Sequence, residues 1–220
     1  MIEFQHQIEI NNLNHFERKK VLAIVALVAA MFVAGNVQAQ TTINVGYAPE
    51  TFSYGNSSYN LQGFYAGFTQ NIGLYKGINV AAGAQFRMNT RSNSEINGSI
   101  KIKETQTLID VPVLFNYGID INRDLKISPF VGPMVTLALT GNTNTKTFLG
   151  NTQLTDTDTN WYGDNSGLNR FNLNVVFGAD VRFKKFNLHG GYRIGLIDQI
   201  KRENGTLNTS GFFVGLGYTL

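Results

Sequence analysis

Between Phe171 and Phe183 apolar and polar residues alternate one by one, and this alternation restricts the fold more than any other feature of the chain. Phe171, Leu173, Val175, Phe177, Ala179, Val181 and Phe183 fall on one face; Asn172, Asn174, Val176, Gly178, Asp180 and Arg182 fall on the other. A period of two belongs to a β-strand, whose successive side chains point to opposite sides. The same scheme recurs from Thr41 onward, and no helical period competes with it. Apolar faces run through Ile43, Val45 and Tyr47, then Phe64, Ala66, Phe68, Ile72 and Leu74, with Gln70 as an exception. They continue through Ile78 to Met88, Ile109 to Tyr117, Ile127 to Leu139, Phe186 to Leu196 and Phe212 to Leu220. Pro112, Pro129 and Pro133 fall inside these runs and are expected at bulges or rim positions, because proline removes a ladder donor.

The links between the runs alternate in length. Tyr75-Lys76-Gly77, Asp120 to Asp124 and Lys184-Lys185 are short. Ser53 to Asn60, Thr90 to Glu104, Thr140 to Arg170 and Lys201 to Thr209 are long. In an up-and-down sheet this order puts every short turn at one rim and every long loop at the other. Outer-membrane barrels have that asymmetry, whereas a soluble Greek-key sandwich has no reason to keep it. Runs of nine residues or more suit a tilted membrane strand. Backbone groups in lipid must pair within the protein, and a closed sheet with an even number of strands leaves no edge. The expected fold is therefore all-β, a closed antiparallel eight-stranded transmembrane β-barrel.

The N-terminus reads as an address. Arg18, Lys19 and Lys20 precede the apolar run Val21 to Val33, and Val37-Gln38-Ala39 follows. This is a charged region, a short apolar region and an A-x-A-like cleavage site. The apolar run is shorter than the ~20 residues a spanning helix needs. Residues 1–39 are thus expected to be an N-terminal extension and cleaved signal peptide, and residues 40–220 the barrel, located in the cell outer membrane. Composition agrees: charged residues make up 15%, against about 25% in an average soluble domain. The chain has no Cys, which removes disulfides and thiolate metal sites. A net charge of +3 without a basic block gives no footprint for nucleic acid.

The polar faces supply the candidate interior. Arg87, Asp110, Asp180, Arg182, His189 and Arg193 are expected inside, together with Asn44, Gln85, Asn116 and Asn174. Eight strands enclose a space that side chains nearly fill. The arginines are expected to pair with Asp110 and Asp180, since buried charges persist only when paired and hydrogen-bonded. Gly83, Gly178, Gly191 and Gly215 on that face leave room for large side chains opposite. The alternative use of the same residues is a narrow ion path. His189 is the only His after the cleavage position; a lipid-modifying enzyme would need it beside groups such as Ser128 and Asp180, whose distance to it the sequence does not fix, and a hydrogen-bonded interior His is the favoured reading.

In the longest link Asp156, Asp158 and Asn160 resemble the opening of a calcium loop, but Trp161 stands where Gly belongs and Gly167 where the bidentate Glu belongs. Asp156, Asp158, Trp161 and Tyr162 are candidate loop contacts for a partner, with capping of the barrel as the alternative role of Trp161 and Tyr162. Gly141 to Thr147 is expected to be a mobile surface segment. No pattern requires a cofactor or metal.

Leu108-Ile109-Asp110-Val111-Pro112-Val113-Leu114-Phe115-Asn116-Tyr117, followed by Lys126-Ile127-Ser128-Pro129-Phe130-Val131-Gly132-Pro133, resembles a motif pair of the small outer-membrane β-barrel proteins of Bacteroidetes, the PorT-like or porin-family barrels. Gly211 to Leu220 is similar to their last strand, although Leu220 stands where they usually carry an aromatic. The resemblance implies an outer-membrane barrel and no catalytic residues. It also implies contact with outer-membrane lipid and the assembly machinery. The expected role is non-enzymatic: a filled barrel that presents long outer loops to a surface or envelope protein, or supports envelope integrity or export.

Overall fold

Alternation becomes a sheet of eleven strands: β1 (Ala39–Tyr47), β2 (Glu50–Tyr54), β3 (Ser57–Tyr75), β4 (Ile78–Glu95), β5 (Ile100–Tyr117), β6 (Ile119–Asp120), β7 (Leu125–Leu149), β8 (Thr152–Asn160), β9 (Phe171–Phe183), β10 (Phe186–Gly195) and β11 (Leu207–Thr219). This computed structural model describes residues 39–95, 99–149, 152–162, 167–200 and 206–220. Residues 1–38, which hold the predicted export signal, lie outside the described residues.

Eight of the strands form a ring in the order β1-β3-β4-β5-β7-β9-β10-β11, and each pairs antiparallel with two neighbours. The ring meets itself at β1, which pairs with β3 from Ala39↔Ile72 to Tyr47↔Phe64 and with β11 from Thr42↔Thr219 to Tyr47↔Val214. After a break at Ala48-Pro49, β2 continues the column of β1 between β3 and β11. β6 extends the column of β5 against β7, and β8 pairs with β7 beyond the ring.

The two faces of the ring are inverted relative to a soluble protein. Outside, Val45 is 54% exposed, Phe64 63%, Phe115 53% and Leu216 62%. Inside, Arg87 is 1% exposed, Asn89 0% and Asp110 2%. A continuous apolar exterior around a polar interior has no favourable arrangement in water, and it matches lipid outside. Among the described residues no helix is long and apolar enough to cross a membrane. Tyr75, Tyr117, Phe183, Phe186 and Tyr218 are exposed beside the short turns, as in an aromatic girdle.

The rim asymmetry holds, but three of the long links carry strand among their described residues. Ser53 to Asn60 is a hairpin, with Tyr54 facing Ser57 across Gly55-Asn56. β4 and β5 pair as far as Glu95↔Ile100, well inside the predicted Thr90–Glu104 link. β7 runs on to Leu149 and folds back as β8, so Gly141 to Thr147 is strand rather than mobile surface segment. The stretch from Thr140 to Asn160 is rich in Thr, a good strand former, yet largely polar on both faces. Without an apolar face there is no alternation to read.

The prolines also correct an expectation. Pro112, Pro129 and Pro133 all lie within strands, and none makes a bulge. Each coincides with an interruption of one ladder across which the register is unchanged. Around Pro112 pairing with β4 resumes from Ala82↔Val113 to Gln85↔Asp110. Around Pro133 pairing with β5 resumes from Pro112↔Met134 to Phe115↔Val131. At Pro129 it passes from Asn116↔Phe130 to Ile119↔Ile127. The missing donor is absorbed by a local gap in pairing.

Candidate functional site

The interior has two storeys. The upper one centres on Arg87 of β4. Its Nε donates to Asp110 Oδ2 at 2.7 Å, Nη2 to Asp110 Oδ1 at 3.2 Å, and Nη1 to Glu50 Oε2 at 2.8 Å. Asn89 donates to Glu50 at 2.7 Å and to Gln106 at 2.9 Å, and Thr136 donates to Asp110 at 2.6 Å. Arg193 of β10, 3% exposed, donates to the backbone carbonyls of Ala48 at 3.1 Å and Pro49 at 2.8 Å. It therefore holds the break between β1 and β2, where those carbonyls leave the ladder. Arg87 and Arg193 balance Glu50 and Asp110, so this buried group is neutral as a whole. Buried charges of this kind tolerate removal of one member poorly.

Above the charges sits an apolar plug. Phe52, Leu61 and Leu207 pack together with Tyr59, Trp161, Leu168 and Ile200 against them. Leu108, Ala138 and Tyr162 form a second cluster that shares Trp161 and Leu168. Trp161 donates its indole N–H to Thr143 at 2.7 Å, and Gln106 donates to the Tyr162 hydroxyl at 2.6 Å. Burial, opposed by that hydrogen bond, pushes the Tyr162 phenol up to about 12. Of the two roles the sequence left open for Trp161 and Tyr162, capping the barrel is the one their packing supports: both turn inward over the lumen.

The lower storey holds a cavity of about 130 Å³ whose lining runs from Arg87 and Asp110 down to Lys126 and Gln40. Strand register sets Ser128, Asp180 and His189 side by side on β7, β9 and β10. They are not assembled as nucleophile, base and orienting group. His189 Nε2 meets the Tyr65 hydroxyl at 2.5 Å, and Asp180 accepts from Asn187 at 3.1 and 3.2 Å. Arg182 donates to the Gln40 side-chain carbonyl. The expected pairing of Arg182 and Arg193 with Asp180 is therefore replaced by amide and backbone acceptors. Arg182 reaches Gln40 past two strands, β10 and β11, and Arg193 reaches Ala48 and Pro49 past one, β11. Gly215 makes the Tyr65–His189 contact sterically feasible, since a Cβ there would stand 2.1 Å from the Tyr65 hydroxyl and 2.7 Å from His189 Nε2.

Asp156 and Asp158 lie on β8, where both accept from the Asn144 side-chain amide, at 2.7 and 2.8 Å. Lys146 sits 3.1 Å from Asp156. The hydrogen bond from Asn144, followed by that from Lys146, holds the Asp156 carboxyl below the usual range. An extended strand cannot wrap oxygens around an ion, so the calcium-loop resemblance does not carry over. Among the described residues no group of three or more His, Cys, Asp and Glu is placed to hold a metal.

Several members of the interior were missed in the sequence, among them Asn89, Gln106 and Thr136 of the Arg87 cluster. Glu50 and Phe52 follow Pro49, beyond the last residue read in the first run, although both keep the inward parity of Ala48. Tyr65 was overlooked as a polar interior residue because tyrosine fits either face. Leu61, Leu108 and Leu207 also lie on the inward parity of their strands, a signal of an apolar plug that an expectation of a polar lumen obscures.

A family model of the outer membrane protein beta-barrel domain matches residues 23–201. The chain belongs to the outer membrane protein beta-barrel domain family. The barrel is similar to the attachment invasion locus protein Ail of Yersinia pestis, with 16% identity and a TM-score of 0.46 over 84% of this chain and all (100%) of that one. Neisserial surface protein A shares 14% identity with a TM-score of 0.44, over 83% of this chain and 99% of that one. The N-terminal β-barrel domain of Pseudomonas aeruginosa OprF shares 11% with a TM-score of 0.30, over 83% of this chain and 100% of that one. No curated protein matches the barrel.

Proposed function

We propose that this protein is a closed, filled, non-enzymatic outer-membrane barrel, exported by its N-terminal signal, that acts through a polar wall standing outside the membrane. The wall is the observation that carries the reading. β4, β5, β7 and β8 continue past the ring as one antiparallel sheet, with Ser92↔Lys103, Lys103↔Asn144 and Asn144↔Asp158 in adjacent pairs. β7 has 25 residues, roughly 80 Å at about 3.3 Å per residue, against a hydrocarbon core of about 30 Å. Its upper part is polar on both faces, which suits water rather than lipid. The double plug of charges and apolar side chains supports a lumen without conduction. The motifs at Leu108–Tyr117 and Lys126–Pro133 support a place among PorT-like barrels of Bacteroidetes.

Asn142 faces Asn160 across the β7–β8 ladder, so residues 143–159 are replaceable by a two-residue Asn-Gly turn. On intact cells, the wild-type barrel carrying a photo-crosslinker at Thr157 is expected to capture a surface or envelope protein. The shortened barrel, labelled at Asn142, is expected to capture nothing while folding normally. Equal capture by both would remove the wall from the account.

A further inference from the structure

The short-turn rim carries lysine where backbone geometry disfavours it. The β3–β4 turn is Lys76-Gly77, with Tyr75 facing Ile78. The β9–β10 turn is Lys184-Lys185, with Phe183 facing Phe186. Lys76 has φ +40° and Lys184 φ +54°. In that left-handed region a Cβ is crowded, and Gly or Asn is the usual occupant of such hairpin turns. The chain contains its own control. At the opposite rim the β2–β3 turn places Gly55, with the same φ of +54°, at the position Lys184 occupies in its turn. The same backbone conformation is filled by glycine at one rim and by lysine at the other.

The ammonium groups follow a common geometry. Lys76 Nζ lies 5.0 Å from the Tyr75 ring centroid, Lys184 5.5 Å from Phe183 and Lys185 5.7 Å from Tyr218. Those rings are 64%, 54% and 41% exposed and belong to the lipid-facing girdle. Among the described residues none of the three lysines is in an ion pair, whereas Asp120 at the same rim is engaged by Lys126 at 3.5 Å. Each cation is therefore held over an aromatic ring at the level where apolar exterior gives way to headgroups, with its charge unneutralised by protein.

We propose that this rim binds anionic phospholipid headgroups, with Lys76, Lys184 and Lys185 donating to headgroup phosphates in the leaflet that the short turns enter. The site is separate from the polar wall and does not depend on any partner bound there. It requires only that the strands cross a bilayer.

The test uses the refolded protein in nanodiscs of mixed phosphatidylcholine and phosphatidylglycerol, with spin-labelled lipids reporting the composition of the boundary layer. Phosphatidylglycerol is expected to be enriched ~5-fold at low salt, the factor one lysine near an anionic surface supplies, and the enrichment should fall as salt rises. The triple variant K76N/K184N/K185N should fold, because asparagine accepts positive φ, and should lose the enrichment. The charge-conserving K76R/K184R/K185R should keep it, and K101N/K103N on the wall should leave it unchanged. Undiminished enrichment in the asparagine triple, absence of enrichment in the wild type, or an equal loss in K101N/K103N would each overturn the proposal.

Discussion

Replacing Arg87 with Met should be among the most damaging single substitutions in the interior. The guanidinium makes three hydrogen bonds to carboxylates, at 2.7, 2.8 and 3.2 Å, and is 1% exposed. Its loss leaves Glu50 and Asp110 against Arg193 alone, a buried excess of one negative charge. Breaking a buried pair from one side costs about 3–5 kcal/mol, a large part of the 5–15 kcal/mol that typically separates folded from unfolded. Asp110→Leu alone should cost a similar amount for the opposite reason. The double variant Arg87→Met/Asp110→Leu restores neutrality between Arg193 and Glu50. It should therefore cost less than the sum of the singles by roughly 2 kcal/mol or more. Urea unfolding of the refolded barrel in lipid vesicles measures all three, with fluorescence of Trp161, the single tryptophan, as the signal. A cost below about 1 kcal/mol for Arg87→Met, or strict additivity in the double variant, would refute the neutral-cluster reasoning.

Other expectations are smaller. Tyr162→Phe removes the acceptor of the 2.6 Å bond from Gln106 and should cost about 1 kcal/mol in the same unfolding assay. Lys184→Gly relieves a left-handed lysine and should stabilise the barrel by about 1 kcal/mol in detergent, where no anionic headgroup competes. Gly215→Ala places a methyl against Tyr65 and His189 and should cost roughly 1–3 kcal/mol, with loss of the Tyr65–His189 contact visible in the imidazole NMR signals. Asp156 has a lowered folded pKa, so the support it gives the β7–β8 hairpin is present above the ordinary aspartate pKa and fades as pH falls through the lowered one. A carboxyl-resolved NMR titration should show that value rising in Asn144→Ala; an unchanged titration would remove Asn144 as its cause.

Where one face of a strand meets lipid and the other the lumen, the pattern was open to reading. The ladder from Phe171 to Phe183 and the inward placement of Arg87, Asp110, His189 and Arg193 follow from parity alone. Beyond the membrane that contrast vanishes. Thr143, Thr145 and Thr147 alternate only with Asn144 and Lys146, so strand and loop look alike there. Parity also says nothing about reach across the lumen. It places Arg193 inside, but not on the carbonyls of Ala48 and Pro49, because that contact depends on the ring bringing β10 against the break after β1. Glu50 was lost for a related reason: Pro49 interrupts the strand that carries the pattern, and the pattern resumes beyond it.

The Arg87 cluster and the cap of Trp161 and Tyr162 together fill the upper lumen. Planar-bilayer recording of the refolded protein tests it most directly. A filled lumen gives no discrete conductance steps at any applied voltage, whereas reproducible ohmic steps from the folded wild-type barrel would show an open path.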